Sequence, residues 1–192
     1  HQNIDLEELK NTASDELQKE LDQISSVFNK PVFYKLPLGV FCLPFLSNLK
    51  NTFFIILRRN KIDMADSIEK TRLSRFGSID AWWSVRPHNY KSLVQKSPQI
   101  QIVSQVNEVE KAVNTGLPYL DEKSYMEVNY EEIVESPKAF LNGLQMKVKE
   151  YCKEEIKLVN PEKDFEKRSV IESVEKSIKW APYFSEIENL SR

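Results

Sequence analysis

The stretch Phe54-Ile55-Ile56-Leu57-Arg58-Arg59-Asn60-Lys61-Ile62-Asp63-Met64-Ala65-Asp66-Ser67 decides how this chain is read. Phe53 to Leu57 is apolar without alternation, the pattern of a strand buried on both faces of a parallel sheet beneath helices. Two arginines end it. Asn60 is a capping residue, and Ile62, Ala65, Ile68 and Leu73 then fall on one side of an expected helix. In open α/β sheets ligands bind where strand C-termini and helix N-termini meet. Arginine offers phosphate a rigid fork, and Ser67, about two turns into the helix, leans back toward its start. Two readings of Arg58, Arg59 and Ser67 stand open on this local pattern. Either they converge on one anion, or the arginines anchor the strand at the surface and Ser67 faces solvent.

Toward the N-terminus, residues 4–28 read as a helix carrying Leu6, Leu9, Leu17, Leu21, Ile24 and Phe28. Pro31 stops it, Pro31 to Lys35 reads as a short strand, and Leu38 to Leu49 as a short apolar helix broken at Pro44. Toward the C-terminus, Gly77 to Ser97 reads as irregular. Residues 99–114 read as a helix with Ile102, Val106, Val109 and Val113 inward, closed by Asn114-Thr115-Gly116. Met126 to Val128 reads as a strand, and Pro137 starts a helix to Tyr151 with Phe140, Leu144 and Val148 inward. From Glu154 onward the sequence reads as a charged tail with sparse apolar anchors. Alternating strands and helices imply a single α/β domain over 1–192 with a mostly parallel sheet. It divides into a helical segment at 1–30, an α/β core at 31–153 and the tail at 154–192. Three strands are few for this length, so an incomplete domain, a homo-oligomer or another partner is expected.

Composition excludes several function classes. The 192 residues suffice for one core. With 27 Lys and Arg against 29 Asp and Glu, no net field draws nucleic acid to the chain as a whole. The four glycines are scattered, the nearest pair being Gly116 and Gly143, so neither a Walker loop nor a G-x-G-x-x-G turn exists. Cys42 and Cys152 form no C-x-x-C pair, and no metal site is expected. The longest apolar stretch, Leu36 to Leu46, contains Pro37 and Pro44 and is too short to span a membrane. The chain opens on His1, with no basic-then-apolar signal. Cytoplasm is the default compartment, or a secretory lumen if a leader was removed.

The deciding stretch resembles the 3′-phosphate-binding segment of sulfotransferases, in which an apolar strand leads into Arg-Asn-Pro-x-Asp and a Ser stands eight positions beyond the Arg. Here Arg59, Asn60, Asp63 and Ser67 match, and Lys61 stands in place of the proline. A second segment, Met126 to Pro137, is similar to the family's later strand followed by Tyr-Glu-Asp-Leu and a proline-started helix; here it reads Tyr130-Glu131-Glu132-Ile133. The resemblance spans roughly Val32 to Tyr151. It implies a three-layer α/β/α, P-loop-like fold and 3′-phosphoadenosine 5′-phosphosulfate (PAPS) as donor, with 3′-phosphoadenosine 5′-phosphate (PAP) as product and no metal. Arg59 and Ser67 become the expected nucleotide contacts, with Arg58 and Arg86 beside them. The implied activity is transfer of a sulfuryl group to a hydroxyl or amine, the acceptor being a carbohydrate or small molecule.

Two departures accompany it. The family's Pro-Lys/Arg-Ser-Gly-Thr-type loop for the 5′-phosphosulfate is not found: Lys96-Ser97-Pro98 and Lys123-Ser124 lack its glycine and strand. The expected fold therefore lacks its first βα unit in this chain. Where cytosolic members carry Lys-x-His, this chain has Lys35-Leu36-Pro37; no catalytic residue is assigned, and Lys35 is a candidate contact to the bridging oxygen or sulfate. Glu7, Glu8, Glu16 and Glu20 are formal options for a base, and none is selected. The alternative is a degenerate sulfotransferase-fold domain with a binding or assembly role and no transfer; a nucleotide-kinase-like relative is disfavoured by the absent Walker glycines.

The other notable residues have plain readings beside functional ones. Trp82 and Trp83 read as packing or as partners of a nucleotide or acceptor. Arg86 and His88 read as surface or anion contacts. Arg72 and Arg75 read as a solvated helix face or as reaching the nucleotide. Asp63, Asp66 and Glu69 read as an exposed acidic stripe. Asn189-Leu190-Ser191 is a glycosylation sequon in form only.

Overall fold

Phe54–Arg58 forms strand β1 and Tyr125–Asn129 forms strand β2, and the two pair in parallel from Phe54 opposite Tyr125 to Arg58 opposite Asn129. They belong to a computed structural model that describes residues 14–28, 30–153 and 172–190. The remaining elements are α1 (Ser14–Phe28), α2 (Leu43–Leu46), α3 (Lys61–Phe76), α4 (Tyr90–Leu93), α5 (Pro98–Gly116), α6 (Tyr130–Glu135), α7 (Pro137–Cys152) and α8 (Glu172–Leu190). Short 3-10 turns occupy Gly39–Cys42 and Leu117–Tyr119. The chain is thus a mixed α/β protein, mostly helical, with a small parallel sheet. Among the described residues no helix is long and apolar enough to cross a membrane. The described residues group into two compact units: 14–58 with 113–153, and 59–112 with 172–190.

In the first unit, Leu43, Ile56, Val113 and Leu120 form one buried cluster, and Cys42, Leu46 and Leu49 form another against Leu17 and Leu21 of α1. Phe54 packs on both. Gly116 earns its place by close approach, since a Cβ there would stand 2.6 Å from that of Leu43. The helix ends at Gly116, so Asn114-Thr115-Gly116 closes it as expected, with Gly116 itself in helical conformation before the 3-10 turn. Pro44 departs from expectation. It sits in the first turn of α2, where its missing N–H costs nothing, and so starts that turn instead of breaking a longer helix.

Two strand expectations need correction. Side chains alternate across a strand, and the cluster around Leu43 buries Ile56 while Ile55 and Leu57 remain 36% and 54% exposed. The apolar run is therefore covered on the Ile56 side and not on both faces. Pro31 to Lys35 has no regular secondary structure and is no strand: among the described residues the sheet consists of β1 and β2 alone. The α7 expectation holds for Leu144 and Val148, both buried, with Phe140 half-buried. The expected helix at 4–28 is seen from Ser14; Leu6, Leu9, Glu7 and Glu8 lie outside the described residues, and Glu16 and Glu20 are exposed.

In the second unit, Ala65 of α3, Ile102, Val103 and Val106 of α5, and Trp180 and Phe184 of α8 make one core, flanked by Ile62 and Ile68. The stretch read as a charged tail thus contains a core helix, its 154–171 portion lying outside the described residues. Trp180 is fully buried. Leu73, expected inward, is half-exposed instead, because α3 turns that face outward by its last turn before Gly77 ends it in left-handed conformation (φ 68). The expected exposed acidic stripe is largely buried: Asp66 and Glu69 are 9% and 7% exposed. Lysines explain it. Lys70 meets Asp66 at 3.1 Å, Lys176 of α8 meets Asp63 at 3.1 Å, and Lys179 bonds Glu69.

Candidate functional site

The junction after β1 is built by Asn60. Its Oδ1 accepts from the backbone N–H of Ile62 at 2.9 Å and of Asp63 at 3.3 Å, capping α3. That cap occupies the amides a helix start would otherwise offer to an anion, and the Asn60 carbonyl takes the Met64 amide. Lys61 bonds Glu110 and Asp63 holds Lys176. What this junction can offer an anion is therefore limited to side chains. Arg59, half-buried, immediately precedes the cap, and Ser67, also half-buried, stands about 9 Å further along the axis than Lys61. Both belong to the unit of α3, α5 and α8.

The other expected site residues are placed as follows. Arg58 lies in the sheet unit, where its Nε donates to Glu127 at 2.7 Å and its Nη2 to Asn114 at 2.8 Å. Its charge is matched across the β1–β2 pair. Lys35 is exposed on the irregular 31–36 stretch of the same unit. Arg86 is exposed, its guanidinium 4.7 Å from the centre of the Tyr90 ring, and His88 is exposed beside it. The second matching segment folds as β2, then α6 from Tyr130, then α7 with Pro137 in its first turn. Here Asn129 makes no side-chain cap to the backbone and instead donates to Glu132 at 2.9 Å.

Sequence reasoning missed a polar clamp in the second unit. Arg72, expected on a solvated face, is fully buried. Its Nη1 donates to the Ile79 carbonyl at 3.1 Å and to Gln101 Oε1 at 3.0 Å, and the guanidinium lies 5.1 Å from the Trp82 ring centre. Burial pulls its pKa below the ordinary arginine value, opposed by Asp80 and Tyr90. Gln101 also donates to the Lys96 carbonyl at 2.9 Å. Gln105 donates to the Trp83 and Val85 carbonyls, each at 2.8 Å, bracketing Ser84, whose φ of 71 is rare outside glycine. Trp82 packs edge-on to Tyr90 and donates to the Val85 carbonyl. The only sequence signal is that Gln101 and Gln105 share a helix face at four-residue spacing.

Other features are less apt for a ligand. A cavity of about 270 Å³ is lined by Asp66, Lys70, Glu175, Lys176 and Lys179; its lysines sit against carboxylates and offer an anion little unmatched charge. Burial raises the Cys42 thiol pKa and, as the largest of several causes, that of Tyr151, so neither is a ready nucleophile. Among the described residues no group of three or more His, Cys, Asp or Glu side chains is placed to hold a metal. As a donor set, Arg59 and Ser67 suit a single phosphate: one planar cation and one hydroxyl. They do not suit the sulfuryl end of a phosphosulfate, which needs clustered donors this junction lacks.

Compared with protein-family models, with curated proteins and with solved structures, the chain matches none.

Proposed function

We propose that this chain is a sulfotransferase-like domain that binds a 3′-phosphoadenosine nucleotide through Arg59 and Ser67. The observation that carries the reading is the junction itself: a parallel strand, Arg59, an asparagine that caps the next helix through its side chain, and Ser67 in that helix's second turn. In this reading the cap has a positional role. By fixing where α3 begins, it fixes Ser67 relative to Arg59, so that fork and hydroxyl share one phosphate. The order β1, α3, α5, β2, α6, α7 supports the wider assignment to a three-layer α/β/α sulfotransferase fold, with β1 and β2 as two neighbouring strands of its sheet.

The donor supplies an activated sulfuryl group, and the chain supplies binding and charge. A new S–O or S–N bond forms to the acceptor as the S–O bond to the 5′-phosphate breaks, PAP leaves, and the acceptor's proton passes to water. The acceptor is proposed to be a carbohydrate or small molecule. Calorimetric titration of PAP into the full chain and into Arg59→Ala tests the reading. Loss of a hydrogen bond to a charged group, worth about 1.5–3 kcal/mol, weakens PAP at least about tenfold. Failure of the folded wild type to bind PAP overturns it. Binding without sulfuryl transfer from PAPS to any acceptor favours a degenerate, binding-only domain.

A further inference from the structure

The loop between α3 and α5, taken together with the last turns of α3 that lead into it, concentrates what the rest of the chain balances. From Thr71 to Lys96 there are five cations, Arg72, Arg75, Arg86, Lys91 and Lys96, against one carboxylate, Asp80, although acids slightly outnumber bases overall. Arg72 is buried and structural; the other four are exposed. Two are held in place by rings. The Arg75 guanidinium lies 4.3 Å from the centre of Trp83, itself packed against Phe76, and Arg86 lies 4.7 Å from that of Tyr90. A guanidinium resting on a ring keeps its N–H edge outward and loses less side-chain freedom when a planar oxyanion arrives.

The backbone beneath is fixed as well. Arg72, Gln101 and Gln105, all buried, donate to the Ile79, Lys96, Trp83 and Val85 carbonyls. The grip of Gln105 on both sides of Ser84 holds a left-handed residue that would otherwise relax, and this residue stands between Trp83 and Arg86. Strain maintained by a dedicated side chain in a charged, exposed loop indicates a surface shaped in advance of its ligand.

We propose that this loop is a preformed docking face for an acidic polysaccharide, with Arg75 and Arg86 each taking a carboxylate or sulfate group. The arginines already lie on Trp83 and Tyr90, so these rings serve as supports and not as open platforms for stacked bases. The neighbouring α3 and α8 lysines Lys70, Lys176 and Lys179 sit against acids, so among the described residues they do not extend the loop's positive charge into a track for a phosphate backbone. Discrete forks on an aromatic-backed loop suit a ligand with anionic groups spaced along sugar rings, whose apolar faces fit against the half-exposed Phe76. That the bound chain is also the sulfuryl acceptor rests on the sulfotransferase reading; the docking face does not.

Oligogalacturonate and low-molecular-weight dextran sulfate are titrated calorimetrically into the full chain, beside neutral maltodextrin, polyglutamate and oligothymidylate. Binding of a charged polysaccharide is expected, with maltodextrin silent and the other two weaker; the first two probes separate carboxylate from sulfate preference. The double variant Arg75→Lys/Arg86→Lys keeps the charge but loses the forks, and its affinity falls about tenfold or more. Lys138→Ala/Lys147→Ala, on the exposed face of α7, loses more charge and leaves binding unchanged. Gln105→Met weakens binding without touching charge, and adding Ser84→Gly, which removes the strain, restores part of it. Tight polyglutamate or oligothymidylate binding, wild-type affinity in the lysine double variant, or no binding to either charged polysaccharide overturns the proposal. PAP titration is the separate arm. PAP binding without polysaccharide binding removes only this face, and the reverse result removes only the nucleotide reading.

Discussion

β1 and β2 end side by side, and each hands over to a helix through an asparagine, yet the two junctions are built oppositely. At the first, Asn60 turns its oxygen onto two backbone amides, Arg59 stands before it, and α3 runs for 16 residues with Ala65 in a core shared with α8. At the second, Asn129 spends its side chain on Glu132, Glu131 and Glu132 fill the first turn, and α6 ends after six residues with none buried. Carboxylates at a helix start satisfy its dipole. The second junction therefore concentrates carboxylates, whereas the first has Arg59 before its cap and a single first-turn acid, Asp63, held by Lys176. The same strand–asparagine–helix grammar yields different electrostatics according to what flanks the asparagine.

Four measurements break or sharpen that contrast. The largest effect is expected from Trp180→Ala, which removes the packing that holds α3 and has no counterpart at α6. Chemical denaturation should show a loss of about 3–5 kcal/mol, and a loss under 1 kcal/mol would mean that α3 does not depend on α8. Next, Arg59→Ala should weaken PAP at least about tenfold by calorimetry, while Asn129→Ala at the mirror junction leaves PAP binding unchanged. Equal losses in both would erase the distinction.

How much of this was legible in the sequence follows the same division. Asn60, Ile62, Ala65 and Ile68 revealed α3 because cap and stripe are local signals. Arg59 and Ser67 stood out only through their spacing and the resemblance it carries. By contrast, α8 was hidden: Pro182 lies inside it, and its buried anchors, Trp180 and Phe184, are two apolar residues in a charged stretch whose partners on α3 and α5 lie far away in sequence. Arg72 was misjudged because arginines are seldom fully buried, and its partners Ile79 and Gln101 are defined only by the folded loop. The strand expected at Pro31 to Lys35 failed for the complementary reason. Its residues favour extension, but a strand exists only with a neighbour to pair with.

The third measurement separates the asparagines themselves. Asn60→Ala should cost about 0.5–2 kcal/mol, the usual range for a lost cap. Asn129→Ala, which removes one exposed pair with Glu132, should cost about 0.2–0.5 kcal/mol. Parallel urea titrations of the two variants decide it, and equal costs would deny Asn60 its special role. The last is Arg58→Ala. Its pairing with Glu127 joins the two strand ends, but both side chains are partly in solvent, so about 0–1 kcal/mol is expected, shrinking as salt is raised. A larger, salt-insensitive loss would make Arg58 a structural keystone of the sheet.

The burial of Trp180 against Ala65, Ile102, Val103 and Val106 also sets a timetable for synthesis. More than one hundred residues separate the lysines of α8 from the acids they meet on α3, so a ribosome has made both α3 and α5 long before the piece that covers them emerges. Until then their apolar faces are bare, and a nascent chain stalled short of α8 presents a ready target for chaperones and proteases.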